Sequence, residues 1–229
     1  MSDKVSPTIE DYLGVIYVLE RDKEPIVGVR LADLLGVTPP TVTNTLKRMV
    51  RDGLLEMEAE TGTHLTAEGL DVAKTVMRRH MLAEWMLSRM LSWSKLHKEA
   101  HSIEHAISPD VETALIEELN QPELCPHGNP LPGYEDVAQN WVALTTLAPG
   151  TRVVIRRIHE LAEEIPDVLA FLEGKNISPG VEACITEVLS FNQTLTLRVG
   201  ADQVTLGFPL ARYIFVEPLV NETEASAAA

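Results

Sequence analysis

Apolar positions in the first half of the chain recur at spacings of three and four, the signature of amphipathic helices. In "TIEDYLGVIYVLE", residues 8–20, Ile9, Tyr12, Leu13, Ile16, Tyr17 and Leu19 form one stripe. Ser6 or Thr8 stands at the cap position, with Pro7 near the first turn. "GVRLADLL", residues 28–35, reads as a short helix ended by Gly36. The following "VTPPTVTNTLKRMVRDGLLEME" gives a turn and a second helix, with Thr38 as N-cap and Pro39 and Pro40 in its first positions. Val42, Leu46, Met49 and Val50 are its apolar stripe and Gly53 its stop. Two helices joined by a tight Gly-containing turn predict a helix-turn-helix. "LLEMEAETGTHLT" adds two short extended runs around Thr61-Gly62, the pattern of a hairpin wing.

Thr66 opens a long helix, 67–92, and Ser94 caps the next, 95–107. Ser108-Pro109-Asp110 starts a third, ending near Asn120. Their apolar faces are wider than one packing partner needs, which predicts a dimer surface. A Pro/Gly-rich loop, "QPELCPHGNPLPGYE", marks a boundary at 121–135. From residue 147 the pattern changes to short β-prone runs ("RVVIRRI", "VEACITEVL", "TLTLRV", "QVTLGF", "YIFVEP") with one short helix in "IPDVLAFLEGKNI". That pattern predicts a small barrel of about 70 residues. The expected fold class is mainly α with a small β domain: 1–66 a winged helix-turn-helix, 67–140 a helical metal-binding and dimerisation domain, 147–219 a small barrel, and 220–229 a flexible tail.

At 45% apolar and 23% charged residues, the 229-residue chain has a globular composition. No apolar run approaches the roughly 18 residues of a membrane span, and the N-terminus lacks a signal-peptide pattern. Cys125 and Cys184 make no disulfide framework, which predicts a reducing, cytoplasmic setting. A net charge of −15 argues against nucleic acid until its distribution is read. Residues 1–80 carry a net of −3 and residues 81–229 a net of −12, and 39–51 hold Lys47, Arg48 and Arg51 without an acid.

That basic segment coincides with the second helix of the helix-turn-helix. Thr41, Thr43 and Asn44 lie near its N-terminus, where a recognition helix meets base edges, and the cations lie where phosphates would be. Asn44 suits adenine, and Pro39, Pro40 or a Thr methyl suits a thymine methyl. The bland alternative is a solvated polar face.

A second constellation is "HKEAHSIEH", residues 97–105. Four of the seven histidines fall between 80 and 105. His80 and Glu84 form an i,i+4 pair on the long helix, and His97, His101, Glu104 and His105 share the next. Imidazole and carboxylate together suit Mn²⁺, Fe²⁺, Co²⁺ or Zn²⁺, against the alternative of solvated i,i+4 pairs. "HSIEH" also matches the H-x-x-E-H zinc-hydrolase pattern, but no clear third ligand follows it. In "CPHG", Cys125 and His127 are further metal donors or parts of a turn. Nothing calls for an organic cofactor, although a regulator answering to an organic ligand is a third reading.

A winged helix followed by "VMRRHMLAEWML", "LHKEAHSIEH", "GNPLPG" and a small barrel resembles the diphtheria-toxin-repressor/manganese-transport-regulator family over residues 5–218. The resemblance implies a homodimeric, metal-activated repressor of metal-homeostasis genes, binding double-stranded operator DNA, with an SH3-like, FeoA-type C-terminal domain. It implies two metal sites per subunit. His80, Glu84 and His97 correspond to an ancillary site; Asp11, His101, Glu104 and His105 correspond to a primary one. Iron-type members put Met and Cys where this chain has Asp11 and His101; manganese-type members put Asp at the first. Gly14 stands where some manganese regulators have a further Glu ligand. Cys125 and His127 match a "CPHG" feature that, in some members, completes the ancillary site with an acid from the last domain. Glu160 is the expected acid, with Glu163 and Glu164 as neighbours in competition. Asp11 exchanges a soft thioether for a hard oxygen, favouring Mn²⁺ over Fe²⁺, with Zn²⁺, Co²⁺ or Cd²⁺ as substitutes in vitro. Without metal, the expectation is that these acids and imidazoles repel or leave the first helix mobile.

Overall fold

The computed structural model describes residues 5–58, 62–165 and 167–219. The expected tail, 220–229, and Thr61 of the wing turn lie outside them. Two compact units emerge, one built from residues up to 83 together with 98–121, the other from 84–97 with 122 onward. No helix among the described residues is long and apolar enough to cross a membrane.

The first unit begins with α1 (Pro7–Arg21), α2 (Gly28–Leu34) and α3 (Pro39–Arg51). A wing of β1 (Leu55–Glu58) and β2 (Gly62–Leu65) follows, paired antiparallel from Leu55↔Leu65 to Glu58↔Gly62. The stripe of α1 is its core: Tyr12, Leu13, Ile16 and Leu19 are fully buried, as are Leu31, Met49 and Leu55. Each such side chain contributes on the order of 1.5–3 kcal/mol, and Leu13→Ala would cost about 2–5 kcal/mol. Thr66 opens α4 (Ala67–Leu87) by accepting from the Gly69 N–H at 3.0 Å and donating to Gly53 O at 2.7 Å. A Cβ on Gly69 would stand 2.0 Å from Leu54 O, so this approach of α4 to the wing admits only glycine.

Three expectations for the middle of the chain need correction. α4 ends at Leu87, not 92; Ser88 turns its hydroxyl onto Trp85 O at 2.7 Å, a local bond that competes with the helix. Ser92, not Ser94, precedes the next helical turn, and Ser94 donates to Glu173. Above all, 95–107 is not one helix. A 3₁₀ turn at Trp93–Lys95 leads into α5 (Leu96–His101), which stops before a second 3₁₀ turn at Glu104–Ala106. Ile103 leaves helical geometry (φ −120°, ψ −15°), and Ala106 N bonds to Ile103 O. The tighter 3₁₀ winding rotates Glu104 and His105 off the stripe that strict i,i+4 spacing would give. α6 (Pro109–Glu118) then starts as expected, with Ser108 Oγ accepting from Val111 N.

The second unit holds a six-stranded antiparallel sheet in the order β3-β8-β4-β5-β6-β7. Its strands are β3 (Val142–Ala143), β4 (Arg152–Ile158), β5 (Glu182–Leu189), β6 (Thr194–Val199), β7 (Asp202–Gly207) and β8 (Ile214–Pro218). Alternating Val153, Ile155, Ile185, Leu195, Leu197, Val204, Leu206, Ile214 and Val216 fill its core. Short helices α7 (Glu160–Glu163), α8 (Val168–Gly174) and α9 (Phe208–Ala211) punctuate the strands. The loop at 125–129 lies against β4: Ile158 N donates to His127 O at 2.8 Å. Gly128, at φ +87°, is required there, since a Cβ would stand 1.9 Å from Arg156 O.

Candidate metal centre and nucleic-acid interface

α3 buries Val42, Leu46 and Met49 against the first unit and turns its other face outward. Thr38, Pro39, Pro40, Thr41, Thr43, Asn44, Lys47, Arg48 and Arg51 are all exposed. Thr38 does not cap a backbone N–H; its hydroxyl shares a 2.9 Å hydrogen bond with that of Thr41. Thr43 donates to Pro39 O, and Arg51 is paired with Asp52 at 2.9 Å. Lys47 and Arg48 are the cations of this face that sit within the helix rather than at its last residue.

Glu104 is the hub of a cluster in the same unit. It is 4% exposed. One oxygen, Oε2, meets His80 Nδ1; the other, Oε1, lies 3.3 Å from His101 Nδ1 and 3.5 Å from His105 Nε2. Burial alone would raise its carboxyl, but hydrogen bonds and charge from His101 and His80 hold it at about 2. His105 reaches α1 with both ring nitrogens: Nε2 lies 3.0 Å from Asp11 Oδ1, and Nδ1 pairs with Glu10 Oε2. Burial pushes the Asp11 carboxyl above its ordinary value, opposed by the His101 and His105 charges. Asp11 Oδ1 is buried and takes no hydrogen bond of good geometry, which leaves its lone pairs for a cation. Donor atoms of Asp11, Glu104 and His105 lie within 4.8 Å of one another. This oxygen-and-nitrogen set fits a hard or borderline dication. Gly14 is packed on α4: a Cβ there would stand 3.3 Å from Met77 Sδ, so a side chain at this position would require Met77 to give by a few tenths of an ångström.

A second cluster is built in the other unit. Glu84, 1% exposed, lies 3.0 Å from His127 Nδ1 and 3.7 Å from His97 Nδ1. Glu163 lies 2.9 Å from His97 Nδ1 and 3.5 Å from His127 Nδ1, and Glu164 lies 3.1 Å from His97 Nε2. Cys125, Glu84 and His127 bring donor atoms within 4.8 Å of one another, all buried. Burial would lower His127, but Glu163 and Glu84 raise it to about 9. Burial of His97 is likewise outweighed, by Glu163, Glu164 and Glu84. Burial, with the Glu84 and Glu163 charges, pushes the Cys125 thiol well up. Two imidazolium charges therefore stand among these carboxylates, the charge that one dication would supply. Cys125 adds a soft donor that the first cluster lacks.

With this geometry in place, the comparisons with known proteins converge. An iron-dependent-repressor N-terminal DNA-binding domain matches residues 4–63, an iron-dependent-repressor metal-binding and dimerisation domain matches 66–133, and a FeoA domain matches 142–218. The chain is similar to the iron-dependent repressor IdeR of Mycobacterium leprae, 35% identical over 95% of this chain and 99% of that protein. It is 33% identical to the diphtheria toxin repressor of Corynebacterium diphtheriae over 96% of this chain and 100% of the relative. The chain belongs to the iron-dependent repressor family. Among solved structures, the repressor's fold is similar to the manganese regulator SloR, with a TM-score of 0.78, 25% identity, and 94% of this chain and 100% of that one covered. ScaR with bound Cd²⁺ gives a TM-score of 0.79 at 27% identity, covering 92% of this chain and 99% of that one. Winged helix, helical middle and FeoA-type domain are thus the architecture of this repressor.

Against the expected site residues, the structure brings Asp11, Glu104 and His105 together and sets His101, more exposed, at the edge of Glu104. His80 Nδ1 meets Glu104 Oε2. Glu84, His97, Cys125 and His127 lie within one cluster. Glu160 is not among those donors: its carboxylate is held by Arg157 at 2.7 Å, and Glu163 and Glu164 meet His97 instead. Asn129 explains the choice. Its amide donates to Glu163 Oε1 at 2.6 Å while its oxygen accepts from Arg157 Nε, so Glu163 is aimed and Glu160 is occupied by the same network. Glu104 is buried against His80, not open to a substrate as the general base of an H-x-x-E-H hydrolase must be. Sequence reasoning missed Glu10. The signal was present, since Leu13, Gly14 and Tyr17 follow it at three, four and seven, placing an acid on the buried stripe.

Proposed function

We propose that the protein is a Mn²⁺-responsive, homodimeric repressor that acts in the cytoplasm on operator DNA controlling metal-homeostasis genes. The observation that carries this reading is the all-oxygen-and-nitrogen set of Asp11, Glu104 and His105, which joins α1 to the 104–106 turn. Asp11, Glu104 and His105, with His101 beside them, would hold the ion. The bound ion supplies a positive charge common to these donors. Glu84, His97, Cys125, His127 and Glu163 would hold a second ion in each subunit, and its sulfur favours Fe²⁺, Zn²⁺, Co²⁺ or Cd²⁺ more than the first set does.

Asp11 lies on the helix that packs against α2 and the wing strand β2, and α3 packs on α2 and β1, so fixing α1 bears on the presentation of α3 through them. In a dimer, two α3 helices must match half-sites about 34–36 Å apart. Metal that favours this arrangement tightens DNA binding, and DNA must tighten metal binding by the same factor. SloR, described as a manganese regulator, and the iron-dependent relatives bracket the choice of metal. The test titrates operator binding by anisotropy with Mn²⁺, Fe²⁺ and Zn²⁺ under anaerobic conditions, for wild type and Asp11→Ala. Mn²⁺ activates wild type, and the variant loses activation while staying folded and dimeric. Unchanged Mn²⁺-dependent DNA binding in Asp11→Ala would refute the role of this site.

A further inference from the structure

Glu10 is next to the acid just described but is not part of the donor set. It is 8% exposed, and a carboxylate that deep needs a partner. That partner is His105 Nδ1, paired with Glu10 Oε2. The opposite nitrogen of the same ring, Nε2, faces Asp11 Oδ1 at 3.0 Å and Glu104 Oε1 at 3.5 Å. The two edges of the imidazole are thus divided between a carboxylate on one side and the donor cluster on the other.

We propose that Glu10 is a positioning residue for the first metal site: by accepting the Nδ1–H of His105 it fixes the ring so that the Nε2 lone pair is presented with Asp11 and Glu104. A neutral imidazole carries one proton, and a ligating nitrogen must be the bare one. An acceptor placed at Nδ1 selects the tautomer in which Nε2 is bare. A carboxylate acceptor also makes the ring more basic toward an ion, the arrangement common behind metal-ligating histidines. Glu10 and Asp11 are consecutive on α1, so one turn of this helix supplies both a donor and the brace for a second donor. Glu10 cannot itself join the cluster through the contact it makes, because Nδ1 and Nε2 lie on different edges of the ring.

This inference rests on reading Asp11, Glu104 and His105 as a metal site, and the experiment separates the two. The full-length protein is stripped with chelator, dialysed and titrated with Mn²⁺ by calorimetry at one pH, for wild type, Asp11→Ala, Glu10→Ala and Glu10→Gln. The binding step weakened in Asp11→Ala identifies the site. Glu10→Ala should weaken that step about 10–100-fold. Glu10→Gln should recover most of the loss, because an amide oxygen still accepts from Nδ1–H. At saturation with Co²⁺, Glu10→Gln should keep the wild-type visible absorption bands, since the ligands are unchanged. Wild-type affinity in Glu10→Ala would overturn the positioning role. A loss in Glu10→Gln as large as in Glu10→Ala, with shifted Co²⁺ bands, would overturn it in favour of Glu10 as a ligand. Should wild type and Asp11→Ala bind Mn²⁺ alike, the site reading itself fails, independently of Glu10.

Discussion

Replacing Glu104 by Gln keeps the size of the side chain and removes its charge. The carboxylate is 4% exposed and is held at about 2, against an ordinary value of 4.5, by His101 and His80. A difference of that size, at 1.36 kcal/mol per pH unit, means the native surroundings favour the charged over the neutral form by about 3 kcal/mol. Glu10→Gln leaves the hub intact, whereas Glu104→Gln forfeits this preference and should cost the chelator-treated protein about that much stability at pH 7. The sign with pH follows from the depressed value. The stabilisation is complete above 4.5, and it is lost as the pH falls toward 2, where wild-type Glu104 takes up a proton. Urea denaturation of wild type and Glu104→Gln, monitored at one protein concentration because a dimer's stability depends on it, should show a gap at pH 7 that narrows below pH 4.5. A gap absent at pH 7, or equally wide at pH 3, would refute the claim that the charged form is what His80 and His101 hold.

Other consequences are direct. Lys47→Ala should weaken binding to all duplexes and lower the log–log salt slope by about 0.9, the share of one phosphate contact; an unchanged slope removes Lys47 from the interface. Asn44→Ala should relax sequence preference at particular base pairs, at about 1–3 kcal/mol, seen by comparing operator with point-mutated operators. Cys125→Ser should abolish the ultraviolet sulfur-to-metal absorption of the Cd²⁺-loaded protein while leaving Mn²⁺-activated DNA binding; persistence of that absorption would place the thiolate elsewhere.

Where the 3.6-residue pattern is long and undisturbed, the fold was legible. The stripes on α1 and α3, the short strands β4 to β8 and the glycine stops follow from local spacing. The break after His101 was not legible, because Ala100, Ile103 and Ile107 continue a helical spacing through it. What ends α5 is tertiary: Glu104 is buried against His80 and His105 is drawn to Glu10. A local pattern contains neither partner. The acid of the second cluster was hidden for a related reason. Glu160, Glu163 and Glu164 are equivalent as residue types on one short segment. The Asn129–Arg157 network, joining a loop to β4 across 28 residues of sequence, decides which of them meets His97. Donor types were readable from sequence; which acid of the last domain meets His97 was not.

The pairing of acids with imidazoles alters the account of activation. Bare repulsion among acids, or a first helix left loose, was the expectation for the protein's own side chains. The structure instead pairs them: His105 ties Glu10 and Asp11 to the 104–106 turn, and His97 and His127 stand charged among Glu84, Glu163 and Glu164. To hold a dication, His97 and His127 would each have to give up the proton that the neighbouring carboxylates favour, raising His97 above its ordinary value and His127 to about 9. With the Cys125 thiol also ionised on ligation, three protons would leave as two positive charges arrive, a net change of −1 in the cluster. The difference is directional. An N–H pairs with one oxygen along one line, whereas an ion draws every donor toward a single point. Metal response through the second cluster would therefore depend on where its donors converge rather than on a gain of positive charge there.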